Sequence, residues 1–208
     1  MRLRFTKRTS AVTNSNSSRR SKAASHMRGY SIIELLVVLG IFGILSGIAV
    51  PSLTRTYRNY QMDDAASQVA GIVKFTRYEA IRRNINMTSR NTQAVALGPA
   101  SVWTDEATDT TIQPTDKQIA LTTTATLVPA ASVPNTAGLA TKVGVSALTV
   151  ISPSNGNVSF DSRGATTSLN VVNVYYVGNA AYGYRAVVVM PNGSVQVWSY
   201  ATGTWTLL

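Results

Sequence analysis

The sequence predicts an α+β protein: a long N-terminal helix, hydrophobic in its first half and amphipathic in its second, packed on a small antiparallel β-rich globular domain. Three observations carry this prediction. Between Ile32 and Val50 the only charged residue is Glu34, and the stretch approaches the ~20 residues that cross a bilayer as a helix. Beyond Pro51, Met62, Ala66, Val69, Val73 and Ala80 recur near helical spacing, with Gln68, Arg77 and other polar groups between them. After Thr88 the composition turns to Thr, Ser, Val, Ala and Gly, in short β-branched runs separated by turn residues.

The order of segments follows from charge. Of 208 residues, 45% are hydrophobic and 13% charged, enough for one membrane segment and one modest domain. The net charge of +10 suggests nucleic acid, but eight basic side chains and no acid fall in residues 1–29, leaving eleven basic against nine acidic afterwards. Residues 1–29 are rich in Ser, Thr and Asn, are expected to be disordered, and read as a processing segment. Nothing resembling Ala-x-Ala directly follows the apolar run, where Pro51-Ser52-Leu53-Thr54-Arg55 stand; the small residue that fits a cut, Gly29, precedes it. Cutting there leaves the hydrophobic segment on a mature chain that begins at Tyr30. Four segments result: 1–29, a basic leader; 30–51, a hydrophobic membrane or assembly helix; 52–87, an amphipathic helix; and 88–208, a β-rich domain.

Within the apolar run, Glu34 asks for a reason, since a carboxylate at the centre of a membrane helix costs about 2.5 to 3.5 kcal/mol on insertion scales. The basic residues before the run orient it with the leader in the cytoplasm and everything after Pro51 outside. Gly40, Gly43 and Gly47 share one helical face, suited to close approach of another helix, although membrane helices often contain glycine for no such reason. Pro51 lacks an N–H and clashes with the preceding turn, so a kink or local melting is expected there. Strands are expected at Gln93–Leu97, Gln118–Thr122, Ala147–Ile151, Asn157–Phe160, Leu169–Val177, Tyr184–Met190, Ser194–Tyr200 and Thr204–Leu208. Pro191-Asn192-Gly193-Ser194 and Ala180-Ala181-Tyr182-Gly183 are expected turns, and residues 99–116 and 129–142 are expected loops.

Catalytic tools are scarce. The chain has no cysteine, and its only histidine, His26, falls in the leader. A chain starting at Tyr30 has neither Ser-His-Asp nor Cys-His chemistry nor the usual zinc ligands, so a non-enzymatic role with no cofactor and no metal is expected.

The string Arg28-Gly29-Tyr30-Ser31-Ile32-Ile33-Glu34-Leu35-Leu36-Val37-Val38-Leu39-Gly40-Ile41 closely resembles the class III signal of type IV pilins and type II secretion pseudopilins. The resemblance implies a pilin-like fold, cleavage after Gly29 by a membrane peptidase, and N-methylation of Tyr30. Family members more often begin with Phe, Met or Leu. It further implies assembly into a filament in which Glu34 pairs with the α-amino group of a neighbouring Tyr30. The implied partners are other pilin or pseudopilin subunits, the prepilin peptidase and methyltransferase, and an inner-membrane assembly platform; the implied location is the bacterial inner membrane, then a periplasmic or extracellular filament. Asn157 to Gly164 and Ala186 to Val197 look like the two late β segments of GspH/FimT-type minor pseudopilins and minor pilins. DNA-binding members of that group often carry Arg directly after the hairpin glycine, where this chain has Ser194.

Other signals have two readings each. Lys74, Arg77, Arg82, Arg83 and Arg90 form a cationic cluster that suits phosphates or a solvated helix face, and the first four are the candidate nucleic-acid contacts of a DNA-uptake pilin. Asp105, Glu106, Asp109 and Asp116 match no EF-hand spacing and read as loop acids before calcium ligands. Trp103, Trp198 and Trp205 read as core or rim packing before stacking platforms.

Overall fold

The computed structural model describes residues 30–106 and 109–208. It divides into two units, one ending at Ile44 and one running from Leu45 to Leu208. A single helix, α1 (Ile32–Arg83), supplies all the described regular structure of the first unit and opens the second. It remains helical through Pro51, so the expected local melting does not occur; a proline removes only one backbone donor, and the turns on both sides hold.

Two helical faces account for the second half of α1. Met62, Ala65, Ala66, Val69, Ala70, Ile72, Val73, Thr76, Glu79 and Ala80 are buried, including every apolar position expected from the periodicity. Four small alanines in that list let the sheets come close. The helix stops at Asn84, which takes a positive φ of 54°, and Ile85 N donates to Ala80 O at 3.2 Å, the six-to-one bond of a Schellman cap.

The β domain holds two sheets. In the first, β1 (Met87–Gln93), β2 (Ala100–Asp105), β3 (Gln118–Leu121) and β6 (Asn155–Phe160) lie antiparallel in the order β3-β2-β1-β6. The second places β10 (Thr204–Leu207), β9 (Val195–Ala201), β8 (Gly183–Val189), β7 (Asn173–Asn179) and β4 (Thr126–Leu127) side by side. One edge of β7 pairs with β8; β4 and the parallel β5 (Thr149–Val150) pair with opposite ends of β7. Period-two alternation divides the residues of this sheet between two cores. Tyr175, Val177, Val187 and Val189 join α1 and the first sheet; Val174, Tyr176, Ala186 and Val188 pack with Val133, Leu139, Trp198 and Trp205.

Four expectations about the β domain need correction. The first strand is not Gln93–Leu97 but β1, Met87–Gln93; Gly98 N bonds Val95 O at 2.8 Å in a tight turn, with Val95 and Leu97 exposed. Residues 99–116 contain β2, and residues 129–142 contain a 3-10 turn at Ala130–Ser132 and most of a second helix, α2 (Thr136–Val143). That helix has local signals: Asn135 caps it, with Oδ1 accepting from Gly138 N at 3.0 Å, and Gly144 ends it at φ 84°. Strand β7 begins at Asn173 rather than Leu169, because Leu169 is exposed and Asn170 turns the chain at φ 62°. The two expected hairpin turns are present, with Gly183 and Gly193 at φ 100° and 78°.

Candidate functional site

In the first unit the functional candidates sit at the start of α1. Gly29 and the basic segment lie outside the described residues. Glu34 occupies the first helical turn, where free backbone N–H groups and the positive end of the helix dipole favour a carboxylate. Tyr30 is 83% exposed, and Tyr30, Glu34 and Val38 follow one another every four residues with Leu35 alongside. Among the described residues the Glu34 carboxylate has no hydrogen bond or ion pair. Every residue from Tyr30 to Thr54 is exposed, and a Cβ built on Gly40, Gly43 or Gly47 meets nothing within 4 Å. The helix is long and apolar enough to cross a membrane.

The cationic cluster on the second half of α1 is drawn into the domain. Arg82 Nε and Nη2 donate to the two carboxylate oxygens of Glu79 at 2.9 and 2.5 Å, and Arg83 Nε donates to Glu79 Oε2 at 2.8 Å. Arg83 also pairs with Glu106, and Arg90 Nε donates to Asp105 Oδ2 at 2.6 Å. The Arg82 hydrogen bond, outweighing the opposing effect of burial and joined by Arg83, holds the Glu79 carboxyl below its ordinary range. Arg77 takes another path: Nε donates to Gly164 O at 2.8 Å and Nη2 to Asn192 O at 3.3 Å. Lys74 is exposed. The structure thus brings Arg82 and Arg83 together around Glu79 and sends Arg77 to two turns of the β domain.

The loop acids are partnered as well. Asp109 Oδ1 accepts from Thr111 N at 3.0 Å and Oδ2 from Gln113 Nε2 at 2.7 Å; the backbone bond from Thr111 leads in lowering its pKa. Asp116 Oδ2 accepts from Gln113 N at 2.8 Å. Among the described residues no three His, Cys, Asp or Glu side chains converge as a metal site. Trp103, Trp198 and Trp205 are all buried; Trp205 Nε1 donates to Asn135 O at 2.9 Å, tying β10 to the α2 cap.

Sequence reasoning missed the contacts that fasten α1 to β8 and to the turn before it. Arg185 Nε donates to Asp63 Oδ1 at 2.5 Å across 122 residues, and the Arg58 guanidinium lies 5.7 Å from the Tyr182 ring. No local signal announces either. For Glu79, the i+3 and i+4 spacing of Arg82 and Arg83 was the legible clue.

Residues 25–50 match the prokaryotic N-terminal methylation motif, and residues 65–193 match the type II transport protein GspH. The pilin-like protein PilA1 of Thermus thermophilus is 47% identical over 57 residues, which is 27% of this chain and 35% of that protein. The match thus spans about a third of the relative's length. No solved structure matches the chain. With the GspH match covering well over half of its length, together with the N-terminal motif and the helix-plus-sheet architecture, this chain belongs to the GspH family of type IV pilin-like proteins.

Proposed function

We infer that the chain is a minor pseudopilin or minor type IV pilin, a non-enzymatic filament subunit that waits in the bacterial inner membrane and is then assembled by helix bundling for protein secretion or pilus biogenesis. The observation that carries this reading is the helical run to Thr54, exposed at every position, mostly apolar and uncharged but for one carboxylate, four residues beyond Tyr30. Apolar surface in water is unfavourable by about 25 cal/mol per Å², so such a face is covered: by lipid before assembly and by neighbouring helices after it.

Cleavage after Gly29 by the prepilin peptidase creates an α-amino group at Tyr30, and N-methylation leaves that amine cationic. Glu34 of one subunit then neutralises the Tyr30 amine of its neighbour. Either charge left alone among apolar helices is strongly destabilising, so the pair sets the register of assembly. Gly40, Gly43 and Gly47 provide the face for close backbone approach. Pro51 leaves the Gly47 carbonyl without its helical donor and is the point where the helix bends to fit the bundle. The partners are other pilin or pseudopilin subunits, the peptidase and methyltransferase, and an inner-membrane assembly platform.

The test is Glu34→Leu. The variant should be processed and inserted like the parent, yet its recovery in sheared filaments should fall at least tenfold, roughly 1.4 kcal/mol. Assembly at parental levels sinks the register role. Mass spectrometry of the mature chain should find Tyr30 first, bearing one added methyl group; any other first residue sinks the cleavage assignment.

A further inference from the structure

The turns that follow the apolar run have a chemistry of their own. Residues 52–62 carry Arg55, Arg58, Tyr57 and Tyr60 and no acid. Leu53, Tyr57 and Tyr60, at i, i+4 and i+7, form one stripe exposed to 71%, 60% and 69%. Arg58 folds back onto the domain, with Nη1 donating to Thr124 Oγ1 at 3.4 Å and the guanidinium 5.7 Å from the Tyr182 ring. Asp63, the first acid beyond, is held by Arg185. Arg55 has no hydrogen bond or ion pair among the described residues and is the cation left facing outward. Thr54 and Thr56 turn their hydroxyls onto their own helix, donating to the carbonyls of Val50 and Ser52 at 3.0 and 3.1 Å. Hydroxyls so bonded need no water.

Two large aromatic rings left outside beside an outward-facing arginine, directly after an apolar run, suit a membrane interface better than bulk water. We propose that Leu53, Arg55, Tyr57 and Tyr60 form a collar seated in the phospholipid headgroup layer on the outer side of the membrane, and that this collar sets the depth of α1 before assembly. The proposal rests on the membrane anchoring inferred above. Tyrosine rings settle at membrane interfaces because one end is apolar and the other wet, and an arginine there meets lipid phosphate. The spacing gives the collar its consequence. Leu35 through Thr54 are twenty consecutive uncharged residues, which at ~1.5 Å per residue match the ~30 Å hydrocarbon thickness. Seating Arg55 and Tyr57 among the outer headgroups therefore puts Glu34 at the inner edge of the hydrocarbon, where its carboxylate reaches water. Glu34 enters an apolar environment only when the helix leaves that depth for the filament.

Since the chain has no cysteine, single cysteines introduced by Ile44→Cys, Thr56→Cys or Gln68→Cys each take one spin label. Depth is read from oxygen against nickel-chelate accessibility, with the full chain in vesicles of phosphatidylethanolamine and phosphatidylglycerol. The expected result is a label in hydrocarbon at 44, in the headgroup layer at 56 and in water at 68. Replacing Arg55→Gln, Tyr57→Ser and Tyr60→Ser together should shift the labels at 44 and 56 by roughly one helical turn, ~5 Å. If the label at 56 is as open to the chelate as that at 68 while the label at 44 stays in hydrocarbon, the anchoring stands and the collar is overturned. A chelate-accessible label at 44 overturns the anchoring and the collar with it. Dipolar broadening at 56 that grows with the protein-to-lipid ratio assigns the stripe to a second copy and also overturns the proposal.

Discussion

Arg77 binds two carbonyls that lie 87 and 115 residues further along the chain, and two glycines make room for it. A Cβ on Gly164 would stand 2.5 Å from Ile81 Cδ1, and one on Gly193 would stand 1.9 Å from Gly164 O and 2.5 Å from Arg77 Nε. Gly193 also has a φ of 78°, which would strain any side chain placed there, and Gly203, at 85°, shares that conformation but has nothing within 4 Å of an added Cβ. The two positions separate backbone strain from collision. Gly203→Ala should destabilise the domain by about 1 to 2 kcal/mol, the strain alone. Gly193→Ala should exceed it by a further ~1 to 3 kcal/mol, read from denaturant midpoints. Equal losses would show that the Arg77 contact tolerates displacement. In the sequence, Asn192-Gly193 was legible as a turn from its residue types. The role of Arg77 was not, because its partners are backbone carbonyls, which every residue has. It looked like one more cation in a cluster.

Among the elements, α1 was the most legible and β1 the least. The second half of α1 buries small side chains on one face and leaves Gly71 on the other, exposed, with nothing within 4 Å of an added Cβ. Gly71→Ala should therefore stabilise the domain by about 0.5 to 1 kcal/mol, mainly by removing unfolded-state freedom, and raise the thermal midpoint. A loss of stability instead would reveal a contact at that face. The polar strand β1 gave no hydrophobic alternation to find. Its inward side chains after Met87 are Ser89, Asn91 and Gln93; Asn91 Nδ2 donates to Ser152 O and Pro153 O, and Gln93 Nε2 to Gly98 O, Thr126 Oγ1 and Leu127 O. These bonds reach loops and the strand β4, which only the finished fold brings together, so a sequence pattern built on apolar burial passes over the strand.

At the scale of the whole molecule, charge is the property most easily misread. The +10 total belongs largely to residues 1–29, and among the remaining cations Arg82, Arg83, Arg90 and Arg185 are ion-paired. The uncut chain should retard DNA in a gel shift with steep salt dependence, whereas the chain beginning at Tyr30 should bind at least about 100-fold more weakly at low salt. Undiminished binding by the shorter form would favour a DNA-uptake pilin contacting DNA through Lys74 and its neighbours. By itself the sequence determined the membrane-grade helix, its lone carboxylate, the amphipathic continuation and the family signature. Those depend on local composition and on a period of 3.6, which neighbours in the chain are enough to define. Only the tertiary structure decided which of the described cations are ion-paired, why two glycines are required, how one sheet serves two cores, and which strand carries buried amides. Each of those depends on groups tens of residues apart meeting in space, where distance and burial, rather than residue type, set the energy.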